Sequence, residues 1–154
     1  MKKIILLLLL LPLFSFAQLE KSLQFKIGIL QNFVNQGADG EQAFWQTKGK
    51  ITFAIVNYTD EQNPKFKELF INQYREIIPV FKIMVETQDE KASTAFVKII
   101  MRQEEDYRNL LTKEQLELYR NKLTEFELNN VEARESYSSL FFSDALLTEY
   151  KSKF

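Results

Sequence analysis

The feature that most constrains the fold is a stripe of large apolar residues in the middle of the chain. Its members recur every three or four residues: Phe66, Phe70, Tyr74, Ile77, Phe81 and Met84. Side chains at this spacing share one face of an α-helix, so the pattern predicts an amphipathic helix. Asn63 and Pro64 suit its start, as N-cap and first helical residue. Pro79 lacks a backbone donor, so we expect a kink or a break there.

Two earlier segments carry signals for both helix and strand. The first, residues 19–34, has helical spacing but also alternates near Ile27, and the second is rich in β-branched residues near Ile55. We interpret both as helices, because an isolated pair of strands is only marginally stable. In the second helix the predicted inward residues are Phe44, Ile51, Ile55 and Tyr58, with Asp39 as the N-cap.

Further helices are predicted in the second half of the chain. Thr87 and Glu90 match a capping box that opens a helix ending near Asn109. Ser143 is suited to cap a short last helix that ends near Tyr150. Turn-forming residues are scarce, with 4 Gly and 3 Pro in 154 residues. The predicted fold is therefore all-α: a small bundle or cradle of five to six helices with short loops.

The stretch from Leu111 to Leu116 begins another helix. Thr112 is the predicted N-cap, and Gln115 is three residues later, so the two can exchange hydrogen bonds as a capping box. Leu111 and Leu116 occupy the two positions of a hydrophobic staple. Every specified residue of this Leu-Thr-x-x-Gln-Leu motif thus has a role in starting a helix, with the cap alone contributing about 1 kcal/mol.

The first seventeen residues have the pattern of a secretory signal peptide. Two lysines precede an apolar run, Ile4 to Phe14, which is shorter than the roughly twenty residues of a membrane-spanning helix. We expect cleavage between Ala17 and Gln18, which leaves a single helical domain at residues 18–154. The expected location is periplasmic or secreted, with membrane contact only during export.

The composition argues against most catalytic chemistry. The chain contains no His and no Cys, which removes Ser-His-Asp and Cys-His catalysis, His-based zinc sites and thiol redox chemistry. The 20 basic and 21 acidic residues give no sign of a nucleic-acid-binding surface. The densest acidic cluster, Glu104–Glu105–Asp106, is interpreted as a solvated helix face, because neighbouring helical side chains diverge. We expect no enzyme activity and no catalytic, cofactor-binding or metal site.

The aromatic residues exceed what a small helical core requires, with 14 Phe, 6 Tyr and one Trp. Most are expected in the core. Phe141 and Phe142 are adjacent, so they cannot both lie on one inward helical stripe. Together with Leu140, Leu146 and Leu147 they are predicted to form an exposed apolar patch, which is typical of partner binding. Plain core packing is the alternative.

The segment Leu111-Thr112-Lys113-Glu114-Gln115, with the helix behind it, resembles the LTxxQ-motif periplasmic proteins, the Spy and CpxP group of envelope-stress chaperones and sensors. The similarity covers about forty residues, from Lys91 to Asn130. It implies a small, disulfide-free helical cradle, often a homodimer, that binds unfolded or partner proteins without ATP. Members typically carry the motif twice, and the upstream counterpart expected here is Ala38–Gln42. The chain expected after cleavage is slightly acidic, which departs from the basic concave surface usual in the chaperones.

These observations predict an exported helical protein that binds a protein partner or an unfolded client. Chaperone-like or stress-sensing activity is the most specific form of this hypothesis. The alternative is a structural or accessory subunit of an envelope complex. Neither hypothesis requires a cofactor.

Overall fold

The computed structural model describes residues 21–129, 137 and 139–154. These residues form six α-helices: α1 (Lys21–Asn35), α2 (Gly40–Val56), α3 (Asn63–Thr87), α4 (Glu90–Asn109), α5 (Lys113–Asn129) and α6 (Asp144–Lys153). A short 3₁₀ helix, Gly37–Asp39, joins α1 to α2, and this part of the chain contains no strand. The all-α prediction is confirmed, including helix near Ile27 and Ile55. The predicted signal peptide lies outside the described residues.

Helix α3 is at the centre of the bundle. It packs against both α2 and α4, while α2 also contacts α1 and α5. The predicted stripe is correct throughout, because all six of its residues, from Phe66 to Met84, are buried. The ring of Tyr107 lies beside this stripe, with its centroid 5.9 Å from Phe66 and 5.1 Å from Tyr119. Contacts of this kind make the core mainly aromatic. None of the described helices is long and apolar enough to span a membrane.

The buried face of α2 differs from the predicted one. Its buried residues recur every four positions: Gly40, Phe44, Lys48, Thr52 and Val56. Ile51 and Ile55 are only half-buried at the edge of the core. The apolar pattern was misleading here because one central position of the true stripe holds a lysine.

The start and the proline of α3 also depart from expectation. Asn63 is the first helical residue and not the N-cap, since the preceding Gln62 occupies the cap position. Pro79 does not break the helix, which continues to Thr87. Pro79 lies on the exposed side of α3, where water can hydrogen-bond the carbonyl oxygen that loses its helical donor.

Of the two N-caps predicted for α4 and α6, the first is wrong and the second is confirmed. Thr87 does not cap α4, because it is still part of α3 and donates its hydroxyl to the carbonyl of Ile83 at 2.7 Å. Asp89 caps α4 instead, accepting a hydrogen bond from the backbone N–H of Ala92. Ser143 caps α6, accepting from the N–H of Leu146 at 3.2 Å, as predicted.

Gly40 marks the closest approach between neighbouring elements. A Cβ atom at this position would overlap the carbonyl oxygen of Phe33 and the hydroxyl of Tyr74. Gly28, in the middle of α1, has no neighbouring atom within 4 Å of such a Cβ. An added methyl group therefore has room at Gly28 and meets neighbouring atoms at Gly40.

We predict that Gly28→Ala raises the free energy of unfolding by about 0.5–1 kcal/mol, since alanine favours helix. Gly40→Ala should lower it by about 1–3 kcal/mol through overpacking. Urea unfolding followed by circular dichroism measures both. If both changes stabilise the protein, the close approach at Gly40 is wrong.

Candidate functional site

Two Thr-x-x-Gln turns meet where α3 and α5 begin. In the downstream turn the N–H of Thr112 donates to Gln115 Oε1 at 3.0 Å, and the N–H of Gln115 donates to Thr112 Oγ1 at 3.2 Å. In the upstream turn Thr59 and Gln62 make the same exchange at 3.0 and 3.3 Å. The downstream turn is therefore a complete capping box, and the upstream turn makes the same reciprocal hydrogen bonds just before α3, whose N-cap position is Gln62.

The two glutamine side chains join these turns. The amide of Gln62 donates to Gln115 Oε1 and accepts from Gln115 Nε2, both at 2.9 Å. Gln62 Nε2 also lies 3.3 Å from the carbonyl oxygen of Leu110. Each Oε1 faces a backbone N–H of its own turn, so flipping either amide would place donor against donor. The pairing fixes the start of α3 against the start of α5.

The second copy of the motif is not the expected one. Asp39 makes no side-chain capping hydrogen bond, so the segment Ala38–Gln42 is not a capping box. The true counterpart is Thr59–Gln62, which has Tyr58 where the downstream motif has Leu111. The shared spacing of Thr and Gln, with Glu before each Gln, was the signal that could have identified it. Leu111 and Leu116 are half-buried against the core.

A second polar cluster is buried between the helices of the bundle. Lys26 on α1 and Lys48 on α2 are only 3% and 5% exposed, and Gln73, Gln103 and Glu104 are also buried. Charged residues are rarely buried without partners. The sequence did not predict this cluster, because a lysine within an apolar stripe carries no local signal that it is buried.

An amide ladder connects α2, α3 and α4 inside the cluster. Lys48 Nζ donates to Gln73 Oε1 at 2.8 Å, and Gln73 Nε2 donates to the carbonyl oxygen of Gln103 at 2.8 Å. Gln103 returns a hydrogen bond to the carbonyl oxygen of Gln73 at 3.0 Å and another to Glu76 at 2.9 Å. These bonds satisfy polar groups that would otherwise be costly to bury.

Glu104 is at the centre of the charged part of the cluster. Its Oε1 accepts from Arg108 Nε at 2.8 Å and from the hydroxyl of Tyr119 at 2.6 Å. Burial raises the pKa of Glu104, while Arg108 and Tyr119 favour its ionised form. The predicted solvated face is therefore wrong for Glu104 and correct for Glu105 and Asp106, which are exposed. Among the described residues, no three acidic side chains are placed to share a metal ion.

The C-terminal segment is bound by the basic members of this cluster. Lys26 Nζ donates to the carbonyl oxygen of Phe141 at 2.8 Å, and Arg108 Nη2 donates to that of Phe142 at 2.7 Å. Arg108 also pairs with Asp144 at the start of α6. These three contacts link α1 and α4 to a segment more than thirty residues away in sequence.

The predicted exposed patch is wrong. Phe141 and Phe142 are 1% and 2% exposed, Leu147 is buried, and Leu140 and Leu146 are half-buried. Residues 141–143 are not helical, so two adjacent rings can both point inward. The ring of Phe141 lies 5.4 Å from that of Tyr107, and the ring of Phe142 lies 5.1 Å from that of Tyr150. These aromatic contacts belong to the core.

The two buried lysines line a cavity of about 40 Å³ together with Glu104. Burial lowers the pKa of Lys26 to about 7 and that of Lys48 to about 8, with Glu104 opposing the change in both. The charge of Lys48 lowers the pKa of Lys26 further. Perturbed groups around a cavity are typical of functional sites. The cavity is therefore the candidate site.

We predict that the Gln62–Gln115 pair stabilises the fold cooperatively. Gln62→Ala and Gln115→Ala should each lower the free energy of unfolding by about 1–2 kcal/mol, since each removes both amide–amide hydrogen bonds from a partly buried site. The double variant should lose about 1 kcal/mol less than the sum. Gln42→Ala is the control, because this exposed residue in the rejected motif should change stability by less than about 0.5 kcal/mol. Additive single losses would contradict the pairing.

We also predict that stability rises with pH above neutrality. The pKa values of Lys26 and Lys48 are below the ordinary 10.5, so the unfolded chain binds more protons between about 7 and 10.5. The contribution of the two lysines to stability is complete above about pH 10.5, where both are neutral, and it is lost as pH falls toward 7. Urea unfolding from about pH 7 to pH 9.5 measures the slope. Lys48→Met should reduce the slope, whereas Lys50→Met, at an exposed position, should not.

Comparisons with protein-family models, with curated proteins and with solved structures found no match to this chain. Its functional interpretation rests on the two polar clusters described above.

Proposed function

We propose that this chain is an exported helical protein that acts by binding other proteins, with chaperone-like or envelope-stress-sensing activity. The observation that carries the proposal is the pair of Thr-x-x-Gln turns joined through Gln62 and Gln115. The family that the downstream motif resembles typically carries two such motifs. The chain has two turns with this Thr–Gln spacing, the upstream one with Tyr58 in place of leucine, and their glutamines are in direct contact.

The paired turns support a binding function through the rigidity that they give the fold. A capping box by itself only starts a helix. Here the side chain that completes each box also bonds to the other box, so two helices separated in sequence are held in one orientation. A binding surface built on rigid helices holds its shape without a disulfide. The chain has no Cys to form one.

The candidates for partner contact are exposed apolar side chains on α2, α3 and α5. The large ones among the described residues are Phe53, Ile83, Val85 and Leu118, each between 43% and 53% exposed. Exposed apolar groups supply the contacts that unfolded chains recognise. They replace the C-terminal patch, whose aromatic rings are in the core.

We predict that the purified protein suppresses the aggregation of an unrelated unfolding protein, measured by light scattering. Ile83→Ser and Leu118→Ser should weaken the suppression without lowering the melting temperature, since both side chains are half-exposed. Lys82→Ser is the matched control, because it changes an exposed neighbour of Ile83 and removes no apolar contact. Gln115→Ala should bind as the wild type does when measured well below its melting temperature.

Two results would contradict the proposal. The first is a wild-type protein that leaves aggregation unchanged. The second is co-purification with a single stoichiometric partner in the absence of any chaperone activity. That second outcome would favour the accessory subunit of an envelope complex.

A further inference from the structure

The cavity beside Lys48 has the size and the lining of a small polar site. Its wall includes Lys26, Lys48, Gln103, Glu104, Ser139 and Phe142. A volume of about 40 Å³ admits a few water-sized species and excludes a nucleotide or a sugar. Any occupant must therefore be a water molecule or a small ion.

The ammonium group of Lys48 supplies hydrogen-bond donors to this cavity. An ammonium has three N–H donors. Within the described part of the chain, Lys48 Nζ donates to Gln73 Oε1 at 2.8 Å, and it also lies near three aromatic rings and interacts electrostatically with the carboxylate of Glu104. The centroids of Phe70 and Phe141 lie 5.0 and 5.2 Å from Nζ. Rings attract the cation but accept hydrogen bonds only weakly, so an acceptor in the cavity would satisfy N–H groups of Lys48 that the rings do not.

The charges around the cavity favour a negative occupant. One oxygen of the Glu104 carboxylate is engaged, since Oε1 accepts from Arg108 at 2.8 Å and from Tyr119 at 2.6 Å. Arg108 therefore offsets the charge of Glu104 locally. The ammonium groups of Lys26 and Lys48 add positive charge to a wall that is otherwise mainly apolar or aromatic. Because both lysine side chains are buried, their attraction for an anion is stronger than it would be in water.

We propose that this cavity binds one small monovalent anion, of the size of chloride or bromide, and that the ammonium group of Lys48 is its principal donor. Lys26 contributes positive charge from the opposite helix, α1. This site is separate from the exposed apolar surface assigned to protein partners.

Binding at this site is coupled to protonation. Burial lowers the pKa of Lys48 to about 8, so the lysine loses its charge as pH rises through that value, and an anion in the cavity favours the charged form. The other ionisable groups around Lys48 are Lys26 from α1, Glu104 and Arg108 from α4, and Tyr119 from α5. Asp144 of α6 faces Arg108 from the surface, and Glu76 of α3 is linked through Gln103. Anion affinity should therefore fall as pH rises.

The test is thermal unfolding of the purified protein in sodium bromide and in sodium gluconate at equal ionic strength. Gluconate is too large for the cavity. At about pH 6.5 the melting temperature of the wild type should be higher in bromide by about 2 °C or more. Lys48→Met, which conserves volume and removes the charge, should fold and lose this increment. Lys50→Met, the same change on the exposed side of α2, should keep it.

Bromine anomalous scattering from crystals grown in bromide gives a direct readout of occupancy. A peak beside Lys48 Nζ in the wild type, lost in Lys48→Met, is expected. The melting increment should also shrink at about pH 9.5. Equal melting temperatures in the two salts, or an undiminished increment in Lys48→Met, would overturn the proposal and leave water as the occupant.

Discussion

The buried ion pair between Glu104 and Arg108 on α4 contacts α5, the start of α6 and the residue Phe142 just before it. Glu104 accepts from Arg108 on its own helix and from Tyr119 on α5. Arg108 then reaches the carbonyl oxygen of Phe142 and the side chain of Asp144. Removing one member would leave a buried charge unpaired, which typically costs about 3–5 kcal/mol. The positions of α4, α5 and α6 therefore depend on one another.

Buried hydrogen bonds and ion pairs join distant segments of this chain, as disulfides do in many exported domains. The chain has no Cys, yet two of its clusters join segments far apart in sequence: the Gln62–Gln115 amide pair and the contact of Lys26 with Phe141. Burying a lysine costs free energy because the charged ammonium loses its hydration, and this cost lowers the pKa of both lysines toward neutrality. An apolar residue at either position would often serve stability as well. That cost is the physical reason for assigning the cavity a ligand.

Local signals in the sequence predicted the fold class, the stripe from Phe66 to Met84 and the cap at Ser143. Each depends on residues within a few positions of one another. The polar clusters depend on contacts over long separations, such as Glu104 with Tyr119, and no local pattern contains that information. Two signals were present in the sequence but were not used. Lys48 occupies one position of a four-residue stripe, and Thr59–Gln62 repeats the spacing of the downstream motif.

Hydrogen exchange of the α6 backbone amides in Glu104→Gln tests most directly whether this ion pair fixes the C-terminal segment. The substitution keeps the shape of the side chain but removes the charge that holds Arg108 toward Phe142 and Asp144. Exchange in residues 144–153 should accelerate by about tenfold or more relative to the amides of α3. Unchanged exchange in α6, or an equal acceleration in α3, would contradict a role specific to this segment.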